Sequence, residues 1–92
     1  MPQQHSVVIF FNADRLESTQ RFNPAKRRRL LQDGMEIIRE HFPSIRLGDP
    51  FVSSLSVPAD VPTDSLVDLR DFLIANDLGR PQLDGEYLKA AT

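Results

Sequence analysis

The chain has no cysteine and no tryptophan, only four glycines and two histidines, and no uninterrupted apolar run longer than Val7–Phe11. Without cysteine there are no disulfides, no thiol nucleophile and no cysteine-built zinc site. The glycines, Gly34, Gly48, Gly79 and Gly85, are scattered. They form neither GxGxxG nor GxxxxGK[ST], so the backbone cradles that hold phosphates are missing. A membrane span needs about 20 apolar residues, far more than Val7–Phe11 supplies. The preceding Met1-Pro2-Gln3-Gln4-His5 has no Lys or Arg to open a signal peptide. A cytoplasmic protein with no membrane partner is the expectation.

What is present is ordinary globular material. The chain has 92 residues, 40% of them hydrophobic and 26% charged, enough for one small domain with a modest core. Residues 1–92 are therefore expected to fold as a single α/β domain, with 1–5 and 89–92 flexible. The same chain also fits an N-terminal domain of a longer protein. A net charge of −2 excludes a uniformly basic coat for nucleic acid.

Val7-Val8-Ile9-Phe10-Phe11 is short, β-branched and aromatic, which predicts a central strand covered on both faces. The polar stretch Asn12–Asn23 is long for a connection, and predicts either a helical turn or a functional loop. Asn23-Pro24 reads as an N-cap followed by proline at the first helical position. From there Leu30, Leu31, Met35, Ile37, Ile38 and Phe42 recur every three or four residues until Pro43, an amphipathic helix. Gly34 lies on its apolar face and predicts a close approach to the sheet.

Ile45-Arg46-Leu47 predicts a short strand ended by the turn Gly48-Asp49-Pro50. The alternation Phe51, Ser53, Leu55, Val57 predicts another strand, with a loop between Pro58 and Pro62. Thr63 and Asp64 open a second helix that Leu78-Gly79 closes, and Tyr87-Leu88 forms an edge strand or docks. All seven prolines fall at the ends of these elements or between them. The order is β-α-β(β)-α, with a last strand possible in the C-terminal segment. It predicts a small α+β two-layer sandwich of ferredoxin-like, split βαβ type. A compact βαβα unit with a more parallel sheet is the alternative.

The second helix carries Leu66, Val67, Leu69, Phe72, Leu73, Ile74 and Leu78, which span well over half its circumference. A helix packed on one sheet face needs a narrower stripe. The surplus, with Phe72, Ile74 and Leu78 as candidates, is expected to meet the first helix, the C-terminal segment or another molecule.

Lys26-Arg27-Arg28-Arg29 places four cations in the first two turns of the first helix, where the backbone already presents positive charge. Arg29 has Asp33 four residues on, and Arg21 lies just upstream. Arg21, Lys26, Arg27, Arg28 and Arg29 are the candidate anion- or partner-binding residues. The simpler reading is a solvated basic face with its stems lying over apolar surface. Charge is also divided along the chain. Residues 1–46 hold eight Lys/Arg against five Asp/Glu, and residues 47–92 hold three against eight. Such a division fits contact with a partner or a second copy, or, more simply, two halves neutralising each other within the monomer.

Support for catalysis is thin. His5 and His41 are the only histidines, and His41 near a helix C-terminus is favourable there without a catalytic role. No HExxH or HxH spacing occurs, so neither a metal nor a cofactor is expected. Ser53, Ser54 and Ser56 have no GxSxG elbow. Phe10, Phe11 and Phe51 lack the interleaved basic residues of an RNA-binding sheet. Asp14 follows the first strand after Asn12-Ala13, an order similar to that of small ferredoxin-like nucleases, which implies a metal-holding role. Read from its neighbours alone, Asp14 is a loop aspartate that caps a turn.

A non-enzymatic protein-interaction or adaptor module is the expected function, its partner another protein or its own copy, with a homodimer the simplest assembly. A nucleic-acid-binding domain using the basic start of the first helix is the alternative. A small metal-dependent nuclease-like enzyme using Asp14 and His41 is the third reading.

Overall fold

The computed structural model describes residues 4–83 and 86–87. In chain order these form β1 (Gln4–Phe11), α1 (Pro24–His41), β2 (Arg46–Leu47), β3 (Ser56–Pro62), α2 (Leu66–Ala75), β4 (Gly79–Leu83) and β5 (Glu86–Tyr87). One sheet carries all five strands in the order β2-β3-β1-β4-β5. Every neighbouring pair is antiparallel, which excludes the more parallel βαβα alternative. β1 and β2, joined through α1, run parallel with β3 between them. β3 and β4, joined through α2, run parallel with β1 between them. The chain is thus a two-layer α+β sandwich, as the order of elements predicts.

One face of the sheet makes the core. Val7, Ile9 and Phe11 of β1 and Val57, Ala59 and Val61 of β3 are buried, and they join Leu31, Met35 and Ile38 of α1 and Leu69 and Leu73 of α2 in a single cluster. The alternate residues of β1 do not enter it: Val8 and Phe10 are half-buried, opposite Pro58 and Arg80. The expectation of a strand covered on both faces is therefore corrected. Both helices lie on one face, and the apolar run alternates like a strand with one buried side.

Helix α1 starts as predicted. The Asn23 side-chain oxygen accepts from the backbone N–H groups of Ala25 (3.0 Å) and Lys26 (3.2 Å). Gly34 is where α1 comes nearest the sheet, and a Cβ there would overlap the Phe11 ring. Asn12–Asn23 contains a helical turn, the 3-10 helix Ala13–Arg15.

Three boundaries differ from expectation. Phe51 makes only an isolated bridge to Ser56, and the residues between them form a turn rather than a strand. Leu55 supplies the reversal, buried at φ 50°, and its alternation with Val57 is coincidental. Strand β3 then runs through Pro58 to Pro62, where a loop was expected. Pro58 is tolerated because its N–H side faces the two-residue β2, whose continuation at Gly48 donates only to the Pro58 carbonyl (2.8 Å). Pro81 likewise lies inside β4, so the prolines do not all mark element ends.

Helix α2 ends at Ala75, not at Leu78-Gly79. Asp77 takes the left-handed conformation (φ 52°) that glycine was expected to supply. Its N–H donates to Ile74 (3.1 Å) while that of Leu78 donates to Leu73 (2.9 Å), the paired bonds of a Schellman ending. Gly79 instead lies in β4 opposite Phe11, where a Cβ would strike the Phe10 carbonyl oxygen. At the chain ends, Gln4 and His5 belong to β1 and His5 bonds Thr63 (2.9 Å), so neither is loose. Tyr87 does lie in an edge strand. Residues 1–3 and 88–92, including Leu88, lie outside the described residues.

Candidate interaction surfaces

The basic start of α1 divides into cations that are used and cations that are free. Arg27 is used. Its Nε donates to the Val52 carbonyl (2.9 Å), Nη2 to that of Ser53 (2.9 Å) and Nη1 to that of Arg21. One planar guanidinium thus ties the connection before α1 to the turn before β3. Its carbon also lies 6.0 Å from the centre of the Phe22 ring. Arg21 is held by Asp14 at 3.3 Å. Arg15 donates to the carbonyls of Asn76 (3.3 Å) and Asp77 (3.2 Å), a favourable place for a cation at the C-terminal end of α2. Lys26, Arg28 and Arg29 are exposed and, among the described residues, have no side-chain partner; the expected Arg29–Asp33 pair does not form. Of the five candidates, then, three present free charge.

Aromatic surface accompanies that charge. Phe22 is 87% exposed and Phe51 57% exposed, the largest values among the big apolar residues. Arg27 brings them to one end of the molecule, since it touches the Phe22 ring and bonds the residues that follow Phe51.

Helix α2 presents a different surface. Leu69 and Leu73 enter the core, and Phe72 is half-buried against the rings of His41 (4.6 Å between centres) and Phe42 (5.5 Å). Leu78, beyond the helix end, is only 4% exposed and so lies off the surface. Ile74 is 47% exposed, and Val67, one face-length earlier, is 51% exposed. At about 100° per residue Val67, Asp71 and Ile74 share one outward stripe. Asp64 and Asp68 flank it, both exposed. The single cation of α2, Arg70, is buried and bonded to Asp71 at 2.8 Å. This face is therefore apolar and acidic.

The ion pairs Arg21–Asp14 and Arg70–Asp71 each lie within one half of the chain. The cations that do cross between halves, Arg15 and Arg27, meet carbonyl oxygens and neutralise no carboxylate.

Asp14 and His41 are not brought together. Asp14 sits in the turn after β1, its backbone N–H bonded to the Asn12 side chain (3.0 Å), and its carboxylate serves Arg21. Asp14 and Asp77 line an open depression of about 440 Å³ at the end of β1, where Asp77 accepts from Asn12 (3.0 Å). Both carboxylates are thus engaged. Among the described residues no three His, Asp or Glu converge as a metal site needs, and no helix is long and apolar enough to cross a membrane.

Phe22, Phe51 and Val67 escaped the sequence reading. For Phe22 a signal was present: it precedes the Asn23 cap, where an apolar residue normally packs against an apolar one at the fourth helical position. Here that position is Arg27, so the ring has no apolar partner and stays outside. Comparison with known proteins adds no relative, since no protein-family model, curated protein or solved structure matches this chain.

Proposed function

We propose that this domain is a non-enzymatic, cytoplasmic protein-interaction module that works through its helix layer. The observation that carries the reading is the exposed apolar set Phe22, Phe51, Val67 and Ile74, with Lys26, Arg28, Arg29, Asp64 and Asp68 in or next to the same elements and without an ion pair among the described residues. Exposed large side chains in polar surroundings mark contact surfaces, whereas singly scattered ones do not. Phe22 and Phe51 lie at the ends of segments that Arg27 ties together, and Val67 and Ile74 share the outward stripe of α2.

Affinity capture of the tagged domain from native lysate, with and without nuclease and at two salt concentrations, tests it. A defined protein that survives nuclease supports the module. Recovery of nucleic acid alone contradicts it.

One observation favours nucleic acid as a second reading: Phe22 is an exposed ring just before the helix start that carries Lys26, Arg28 and Arg29, and exposed rings stack on single-stranded bases. With Arg27 and Arg21 engaged, three free cations would give a log–log salt slope of roughly −2 to −3. A salt-insensitive complex, or full binding by the variant Lys26→Ala/Arg28→Ala/Arg29→Ala, removes this reading.

A further inference from the structure

We propose, building on the interaction reading above, that the partner includes a second copy of this chain, which lays the acidic, apolar face of its α2 against the basic, aromatic start of α1. Each surface supplies what the other lacks. Val67 and Ile74 stand with Asp64 and Asp68, and with Asp71, which Arg70 already pairs, and α2 has no exposed cation. Phe22 immediately precedes the Asn23 cap of the helix that carries Lys26, Arg28 and Arg29, and the first turn of α1 has no acidic residue. Among the described residues no ion pair joins Lys26, Arg28 or Arg29 to Asp64 or Asp68. Complementary charge around apolar anchors is the arrangement that selects a partner and fixes its register.

Val67 and Ile74 of α2, and Lys26 and Arg29 of α1, lie on the sides of their helices away from the core residues, while Arg28 lies on the same side as Met35 at the start of α1. A two-fold axis is the arrangement that would let two copies make both contacts reciprocally and close the assembly at two. A nucleic acid would occupy only the basic end and leave Val67 and Ile74 in water. A second copy would cover both surfaces.

The test uses the full chain and two variants, Phe22→Ser/Arg28→Glu/Arg29→Glu and Val67→Ser/Asp68→Lys/Ile74→Ser, followed by sedimentation velocity. Wild type is expected to pass from 10.5 kDa to twice that mass as concentration rises toward ~1 mM, and to dissociate more readily in salt. Each variant alone self-associates at least about tenfold more weakly. An equimolar mixture recovers a mixed dimer, because it retains one intact pair of surfaces. Wild type that stays monomeric, variants that dimerise unchanged, or a mixture without recovery each overturns the proposal. Should a variant fail to fold, amide shifts of wild type on dilution decide instead: residues 22–29 and 67–74 must move together, and movement elsewhere alone overturns it. A monomeric wild type leaves the interaction reading standing on the capture experiment, so the two can fail separately.

Discussion

Four consecutive cations turn out to have two different jobs. Arg27 has its guanidinium spent on three backbone carbonyls, and only its neighbours carry free charge. Hydrogen bonds from a charged donor are worth roughly 1.5–3 kcal/mol each before discounting for partial exposure, so Arg27→Ala should destabilise by about 2–3 kcal/mol in urea unfolding. Arg27→Lys should recover only part of that, because a point ammonium cannot bond three carbonyls fanned around one plane. An unchanged midpoint for Arg27→Ala would show that the clasp is ornamental. Lys26 should behave in the opposite way. It sits at the third helical position, next to the positive helix end and three residues after the Asn23 cap. Lys26→Glu should therefore stabilise the monomer by about 0.5–1 kcal/mol while weakening any contact with acidic surface. A residue that costs stability but helps association is the pattern expected of a contact site.

At the scale of elements, legibility followed how local the cause is. Helix α1 could be read to its cap because Asn23, Pro24 and the apolar spacing are all short-range signals. Gly34 was also legible, and Gly34→Ala should destabilise by about 1–2 kcal/mol: the gain in helix propensity, about 1 kcal/mol, is outweighed by overpacking against the Phe11 ring. A stabilised Gly34→Ala protein would contradict that packing. The stretch from Phe51 to Pro62 was misread because its structure depends on distant partners. Leu55 reverses the chain inside a turn held by Arg27, and β3 keeps its prolines because β2 is too short to need their N–H groups. The end of α2 was misread for a local reason, since Asp77 adopts the backbone geometry usually left to glycine while Gly79 answers the close approach of β1. The apolar surplus of α2 was legible, but its destination was not. Leu78 and Phe72 go inward, and Val67, absent from the expected set, comes out.

For the whole molecule, the two halves of the chain interleave in one sheet, with β1 between β3 and β4 and Arg46 opposite Asp60. The two helices fill one core with their inner sides and leave a basic, aromatic surface on one and an acidic, apolar surface on the other. Neither could have been drawn from composition, because which Arg is engaged and which Ile is exposed depends on the packing of both layers. On the proposed reading, this helix layer serves protein contact. The most direct test of that reading is nuclease-treated capture performed side by side with wild type and Val67→Ser/Ile74→Ser, a variant that changes only exposed positions. A defined protein, the chain's own copy included, should bind wild type and be diminished at least about tenfold with the variant. Equal recovery by both, or nothing but nucleic acid before nuclease treatment, would contradict it.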